Sequence, residues 1–166
     1  MKIDQLFSVA GKTVVVTGGS RGIGEMIARA LVENGAQVII TSRKAADCDA
    51  LAAELGPACT AIAADLSQMA EIERFAGEVA RRFPKLDVLF NNAGASWGAS
   101  IDDFPELGWD KVMDLNVKSV FFLTQKLLPQ LAAAASPEAN AKVINIGSID
   151  GQHVSDLETY SYAASK

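Results

Sequence analysis

Tyr162 and Lys166, in the closing run Ser161-Tyr162-Ala163-Ala164-Ser165-Lys166, are residues whose types and spacing could move a proton. On a helix, side chains four residues apart share one face, one turn above the other. An ammonium held near a phenol favours the phenolate. A free tyrosine titrates near ~10 and exchanges protons poorly at neutral pH. One tuned toward the operating pH serves as a general acid or base. Tyr160 is a second phenol, but no lysine follows it four residues on, so it is set aside. The same spacing is also common on ordinary solvated helix faces. The pair therefore takes its meaning from the elements that would position it.

Bulk properties narrow the classes. The chain has 166 residues, enough for one domain over residues 1–166 with a sizeable core. Hydrophobic residues make up 49% and charged residues 21%, which fits a globular protein and excludes a disordered one. The net charge of -5 argues against nucleic acid or an anionic membrane as partner. Cys48 and Cys59 match no metal or redox spacing and read as two free thiols in a reducing compartment. His153 has no ligating companions, so no metal site is expected. Residues Met1 to Ala10 carry charge and lack the long apolar run of a leader or a membrane span. A cytoplasmic protein is expected.

Strands and helices alternate along the chain. Thr13–Thr17, Gln37–Thr41, Thr60–Ala64, Leu86–Phe90 and Lys142–Ile146 are short, apolar and largely β-branched, as buried parallel strands are. Between them, Glu25–Val32 is helix-periodic and stops at Asn34-Gly35, a helix-ending signal. Ala45–Leu55 ends at Gly56-Pro57, and Gln68–Phe83 repeats Ile72, Phe75, Val79 and Phe83 before Pro84. A long helical stretch is predicted from about Glu106 to Ala135, kinked or ended by Pro129. Ser96–Pro105 reads as a loop, and Ile149–Thr159 as a loop leading into the last helix. This order implies a doubly wound parallel sheet in a three-layer α/β/α arrangement.

A glycine-rich turn follows the first strand at once: Gly18-Gly19-Ser20-Arg21-Gly22-Ile23-Gly24. Glycines let the chain turn tightly and let a ligand approach the backbone. A helix start offers unpaired N–H groups and a positive dipole end to a diphosphate. The spacing Gly18, Gly22, Gly24 departs from G-x-G-x-x-G, and no Gly-Lys-Ser/Thr follows, which excludes a P-loop. A plain tight turn is the competing reading. Dinucleotide folds that take NAD usually carry an acidic residue at the end of the second strand. Here Thr41-Ser42-Arg43-Lys44 has none. Arg43, with Arg21 as a second cation, suits a 2′-phosphate. NADP(H) is therefore preferred over NAD(H), with NAD(H) as the alternative.

Taken together, these motifs resemble the short-chain dehydrogenase/reductase family. The resemblance rests on Thr17-Gly18-Gly19-Ser20-Arg21-Gly22-Ile23-Gly24, Asp65-Leu66, Asn91-Asn92-Ala93-Gly94, Leu115-Asn116-Val117, Ser148, and Tyr162 with Lys166, in the family's order over nearly the whole chain. It implies a Rossmann-type fold and an oxidoreductase acting on a carbonyl/alcohol pair. The glycine turn, including Gly18, Ser20, Arg21, Gly22, Ile23 and Gly24, would hold the cofactor diphosphate. Asp65 and Leu66 would line the adenine pocket, and Asn92, Ala93 and Gly94 would flank the adenine ribose. Ser148 would hydrogen-bond the substrate oxygen, and Tyr162 would give or take the proton and, with Lys166, contact the cofactor. Lys166 would hold the nicotinamide ribose and lower the Tyr162 pKa. Asn116 would help bind a water in a relay ending at Lys166. Duller roles compete: Ser148 as a turn cap, Asn116 bonded to backbone inside its helix. The resemblance also implies a homo-oligomer for a full-length relative.

The Ala95-Ser96-Trp97-Gly98-Ala99 loop and the helix after it are similar to the branch with 3-oxoacyl-thioester reductases of the rhamnolipid type. Trp97 could touch substrate or cover the core, and the residues alone leave both open. A non-catalytic dinucleotide-binding or interaction module is the alternative from another class. Relatives continue past the equivalent of Lys166 with more of the last helix, further strands and a substrate lid. The expectation is a fragment that lacks those C-terminal elements, with an exposed sheet edge beyond the fifth strand and weak or no turnover.

Overall fold

The computed structural model describes residues 7–153 and 156–166. Residues 1–6, read above for charge and the lack of a leader, lie outside it, as do 154 and 155 of the segment before the last helix. Five strands form one parallel sheet: β1 Thr13–Thr17, β2 Gln37–Thr41, β3 Cys59–Ala61, β4 Val88–Asn91 and β5 Lys142–Asn145. Their order is β3-β2-β1-β4-β5, so the direction of winding reverses at β1 and β4. That reversal opens a crevice at the carboxyl ends of the strands, where open α/β folds bind ligands.

Successive strand residues face opposite sides of a sheet, so an unbroken apolar run must be covered on both. Val14, Val16, Val38 and Ile40 pack on one side with Ala28 of α1 (Gly22–Glu33) and with Cys48 and Leu51 of α2 (Ala45–Leu55). Val15, Ile39 and Leu89 pack on the other. Their partners are Ile72, Phe75 and Val79 of α3 (Met69–Arg82) and Leu123, Leu127 and Leu131 of α5 (Ser119–Ala134). Helices on both faces give the expected three layers. Each fully buried aliphatic or aromatic side chain contributes ~1.5–3 kcal/mol. β1, with three wholly buried valines, anchors both cores.

The elements differ from the sequence reading in instructive ways. α1 begins at Gly22, inside the glycine turn, so the turn and the helix start are one structure. Its end is as expected: Gly35 has φ +82, and Asn34 N–H donates back to Ala30. β3 is shorter than predicted, although Ile62 and Ala64 still donate to Ile40 and Ser42 along β2. The stretch predicted as one helix is α4 (Glu106–Met113), a π turn over Asp114–Lys118, and then α5. Pro129 lies within α5 and does not end it. It sits on the exposed side, where water can take up the carbonyl that a proline cannot reach. β5 forms the sheet edge, and Lys142, Val143 and Asn145 are exposed, as the sequence reading anticipated. After β5 comes a short 3₁₀ turn, Ile149–Gly151, and then α6 (Tyr160–Ser165). Among the described residues, no helix is long and apolar enough to cross a membrane.

Candidate active site

The glycine turn is built for a close backbone approach. Gly18 has φ +64, a left-handed value that favours glycine. A Cβ at Gly24 would lie 2.2 Å from the Gly18 carbonyl oxygen and 2.6 Å from Asn92 Nδ2. Any side chain there would push the helix start away from the strand. Arg21, at the N-cap of α1, makes no capping side-chain bond, so the first amides of the helix remain for an anion. Glu25 in the first turn would oppose an anion, but Arg29 holds its carboxylate at 2.8 Å. Arg29 also grips Glu54 at 2.7 and 2.8 Å, which raises the guanidinium pKa and lowers that of Glu54.

A cleft of about 370 Å³ runs from this turn along the strand ends. The turn residues Gly18, Ser20, Arg21, Gly22, Ile23 and Gly24 line it, with Arg43, Leu66, Asn92, Ala93 and Gly94. Eleven of the expected cofactor positions are thus brought together. Asp65 is not among the lining residues. Its carboxylate instead accepts from the Ser67 amide at 3.1 Å and the Ser67 hydroxyl at 2.8 Å, while Ala64 and Leu66 form the wall. The cleft also takes in Thr41, Ser42, Lys44, Asp47 and Leu115, which the sequence reading did not include. Ser42 and Lys44 adjoin Arg43 and could have been inferred from it. Asp47 places a carboxylate near the basic end, 3.9 Å from Lys44 Nζ, one helical turn beyond that lysine. Leu115 gave no local signal, because the π turn brings it there.

Thr17 stitches the two central strands beneath the cleft. Its Oγ1 accepts from the amides of Asn92 and Ala93, both at 2.9 Å, and donates to the Phe90 carbonyl at 3.2 Å. Asn92 returns a bond from Nδ2 to the Thr17 carbonyl at 2.9 Å. These contacts hold Asn92, Ala93 and Gly94 against the glycine turn.

The residues expected to handle the proton lie in the segments after β5 and in the π turn. Lys166 Nζ donates to the Ile146 carbonyl at 2.7 Å and lies 5.7 Å from the Tyr162 ring centroid. Burial lowers the Lys166 pKa from 10.5. Tyr160 instead packs its ring edge-on against Phe104, centroids 5.6 Å apart, which supports setting it aside. Ser148 caps the 3₁₀ turn, accepting from Asp150 N–H at 3.2 Å, and so fills the duller role while keeping a hydroxyl hydrogen to donate. Asn116 is buried in the π turn. Its Oδ1 accepts from the Ala95 amide at 2.8 Å, and its Nδ2 donates to the Ala95 carbonyl at 3.0 Å and to Ser165 Oγ at 2.8 Å. The side chain therefore clamps a loop and α6 and makes no bond within its own helix. A second cavity, about 670 Å³, contains Asn116, Ser165 and Lys166 beside β5. Trp97 sits against Gly108, where a Cβ would come within 2.6 Å of the indole, and Lys111 Nζ stands 4.9 Å from its ring centroid. The indole covers α4.

A parallel sheet that reverses at β1 and β4, with a glycine-lined cleft over the reversal, defines a dinucleotide-binding α/β fold of the Rossmann class. The profile of the short chain dehydrogenase family matches residues 12–166, and the chain belongs to that family. It is 49% identical over 162 residues to the rhamnolipids biosynthesis 3-oxoacyl-[acyl-carrier-protein] reductase of Pseudomonas aeruginosa, over 96% of this chain and 63% of that protein. Among solved structures it is similar to the Pseudomonas aeruginosa RhlG/NADP active-site complex, with TM-score 0.91, 49% identity and coverage of 96% and 63%. It is also similar to the 3-ketoacyl-(acyl-carrier-protein) reductase from Brucella melitensis complexed with NADH, with TM-score 0.87, 29% identity and coverage of 95% and 65%. The chain thus spans under two thirds of the length of these relatives.

Proposed function

We propose that this chain is the cofactor-binding and proton-handling part of an NADP(H)-dependent oxidoreductase acting on a carbonyl/alcohol pair, with a 3-oxoacyl thioester as substrate. The observation that carries the reading is one cleft joining an uncapped helix start to a basic end at Arg21, Arg43 and Lys44. The donor set fits the group. Backbone amides and the Gly18–Gly24 contact suit a diphosphate, and three cations suit a further phosphate. Asp47 is the one lining carboxylate at that end, and Lys44 offsets it. Similarity to a reductase solved with NADP supports the same choice, and NAD(H) remains the second candidate because another relative was solved with NADH.

When bound, the nicotinamide supplies or accepts the hydride. The chain's residues handle the oxygen. As a ketone is reduced, negative charge grows on the carbonyl oxygen, and donors already in place stabilise it most. Ser148 and Tyr162 are those donors, and Tyr162 passes the proton. Lys166 holds a ribose beside the phenol, its Nζ 5.7 Å from the Tyr162 ring centroid. Asn116 fixes Ala95 and Ser165, keeping the loop and α6 in register. The protein acts in the cytoplasm on a small-molecule substrate, without nucleic acid or membrane as partner, and as a homo-oligomer.

The test is a substrate screen that follows NADPH consumption with 3-oxoacyl thioesters beside simple ketones and sugars. Consumption with the thioesters is expected of a chain extended to the relatives' full length. Binding of NADPH with no turnover of any member, in a chain extended to the relatives' full length, would favour a non-catalytic dinucleotide-binding module instead.

A further inference from the structure

Below the basic end of the cleft lies a row of hydroxyl and thiol groups. Ser20, in the glycine turn, is 2.9 Å from Ser42, at the end of β2, oxygen to oxygen. Ser42 Oγ is in turn 3.1 Å from Cys48 Sγ, in α2. Ser20 and Ser42 line the cleft, whereas Cys48 is fully buried behind it. The only other acceptor near Ser42 Oγ among the described contacts is the Lys44 carbonyl at 3.5 Å, a marginal distance. Three elements thus meet in a chain that starts in the core and ends at the ligand surface.

Each hydroxyl has one hydrogen to give and can accept from a neighbour. In the structure Ser20 donates to Ser42, so its one hydrogen is already committed. A phosphate offers only acceptors, so Ser20 must turn its hydrogen outward to bind one. Ser42 can then donate to Ser20, and its own oxygen is left needing a donor. The Cys48 S–H is the donor in place. Rotating all three reverses the chain into Cys48 to Ser42 to Ser20 to phosphate: the hydrogen bonds re-form in the opposite sense, no covalent bond is broken and every proton stays on its own atom.

We propose that Cys48 is a positioning residue for the 2′-phosphate of the cofactor: its thiol anchors a reversible hydrogen-bond chain through Ser42 and Ser20. The inference rests on the NADP(H) reading above and concerns a residue that never touches the ligand. It assigns a function to a thiol that the sequence reading left as a bystander.

The measurement is the dissociation constant for 2′,5′-ADP and for 5′-AMP, which share the adenosine and differ in the phosphate concerned. Wild type should prefer 2′,5′-ADP. Cys48→Ala should weaken 2′,5′-ADP about 3- to 10-fold, the size of one modest hydrogen bond, with 5′-AMP unchanged. Cys48→Ser, which keeps a donor, should recover part of that preference. Ser42→Ala should cause a similar loss, and Cys48→Ala added to it should cause no further change in the ratio, as expected for one coupled chain. An equal effect of Cys48→Ala on both ligands, an unchanged ratio, or independent effects of the two substitutions would overturn the role of Cys48 and leave the cofactor reading intact. No preference in wild type would overturn both. Should Cys48→Ala fail to fold, Cys48→Val, which keeps the volume and removes the donor, takes its place: a ratio equal to wild type in that variant sinks the chain, and a fall of about 3- to 10-fold supports it.

Discussion

At the scale of single residues, the roles of Tyr162 and Arg43 are separable by experiment. Tyr162 is not among the residues lining the cleft at the glycine turn, so removing its hydroxyl should leave cofactor binding intact. Tyr162→Phe removes only the hydroxyl, and turnover should fall ~10²–10⁴-fold, the usual worth of a general acid–base group, with the NADPH dissociation constant unchanged. Retained turnover would remove the phenol from its role. Arg43→Asp replaces a cleft-lining cation by a carboxylate, as NAD-selective folds have at the end of the second strand. The ratio of kcat/KM for NADPH over NADH should fall well below the wild-type value, and an unchanged ratio counts against a 2′-phosphate at that end. Both proposals start from the sequence because their chemistry depends on type and near neighbours, and the structure places Arg43 on the cleft wall. The bond of Asp65 to Ser67 was not legible, because it is a turn preference that a family resemblance does not report.

At the scale of elements, Thr17 joins β1 to β4 through one hydroxyl that serves three backbone groups. Thr17→Val keeps the shape and leaves the amides of Asn92 and Ala93 without their acceptor. Unsatisfied buried donors cost ~1–3 kcal/mol, so the urea midpoint should drop by a corresponding amount with the slope unchanged. A midpoint equal to wild type would show that the stitch contributes nothing. Strands and amphipathic helices were readable because periodicity reports burial directly: β1 and β2 alternate between two cores, and Ile72, Phe75 and Val79 fall on one stripe. The π turn was not readable. Asp114–Lys118 has the composition of ordinary helix, and the bonds its Asn116 makes are to Ala95 and Ser165, partners remote in sequence. Pro129 does not end the helix for the opposite reason, since its local rule is relaxed at a solvated face.

At the scale of the molecule, the two cores meet only through the sheet, and the thiols report on one of them. Cys48 and Cys59 lie in the core shared with α1 and α2. Burial, with the neighbouring Cys48, pushes the Cys59 thiol from 9.0 to about 11. The folded state then keeps a proton that the unfolded chain gives up. The resulting stability is complete below pH ~9 and is lost as pH rises through the folded value. Lys166 acts in the opposite sense, because burial lowers its pKa and its penalty eases as pH rises toward 10.5. Cys59→Ala leaves the lysine in place, so comparing the two proteins isolates the thiol. Between pH ~8 and ~10.5 the urea midpoint of wild type should fall further than that of the variant, and parallel curves would show that the thiol ionises freely. The Asn116 clamp has a further consequence. The Ala95 amide hydrogen is guarded by a side chain from another element, which also grips Ser165. Its rate of exchange with deuterated solvent is therefore a reporter of whether the last helix is docked, legible at a single backbone position without labelling that helix.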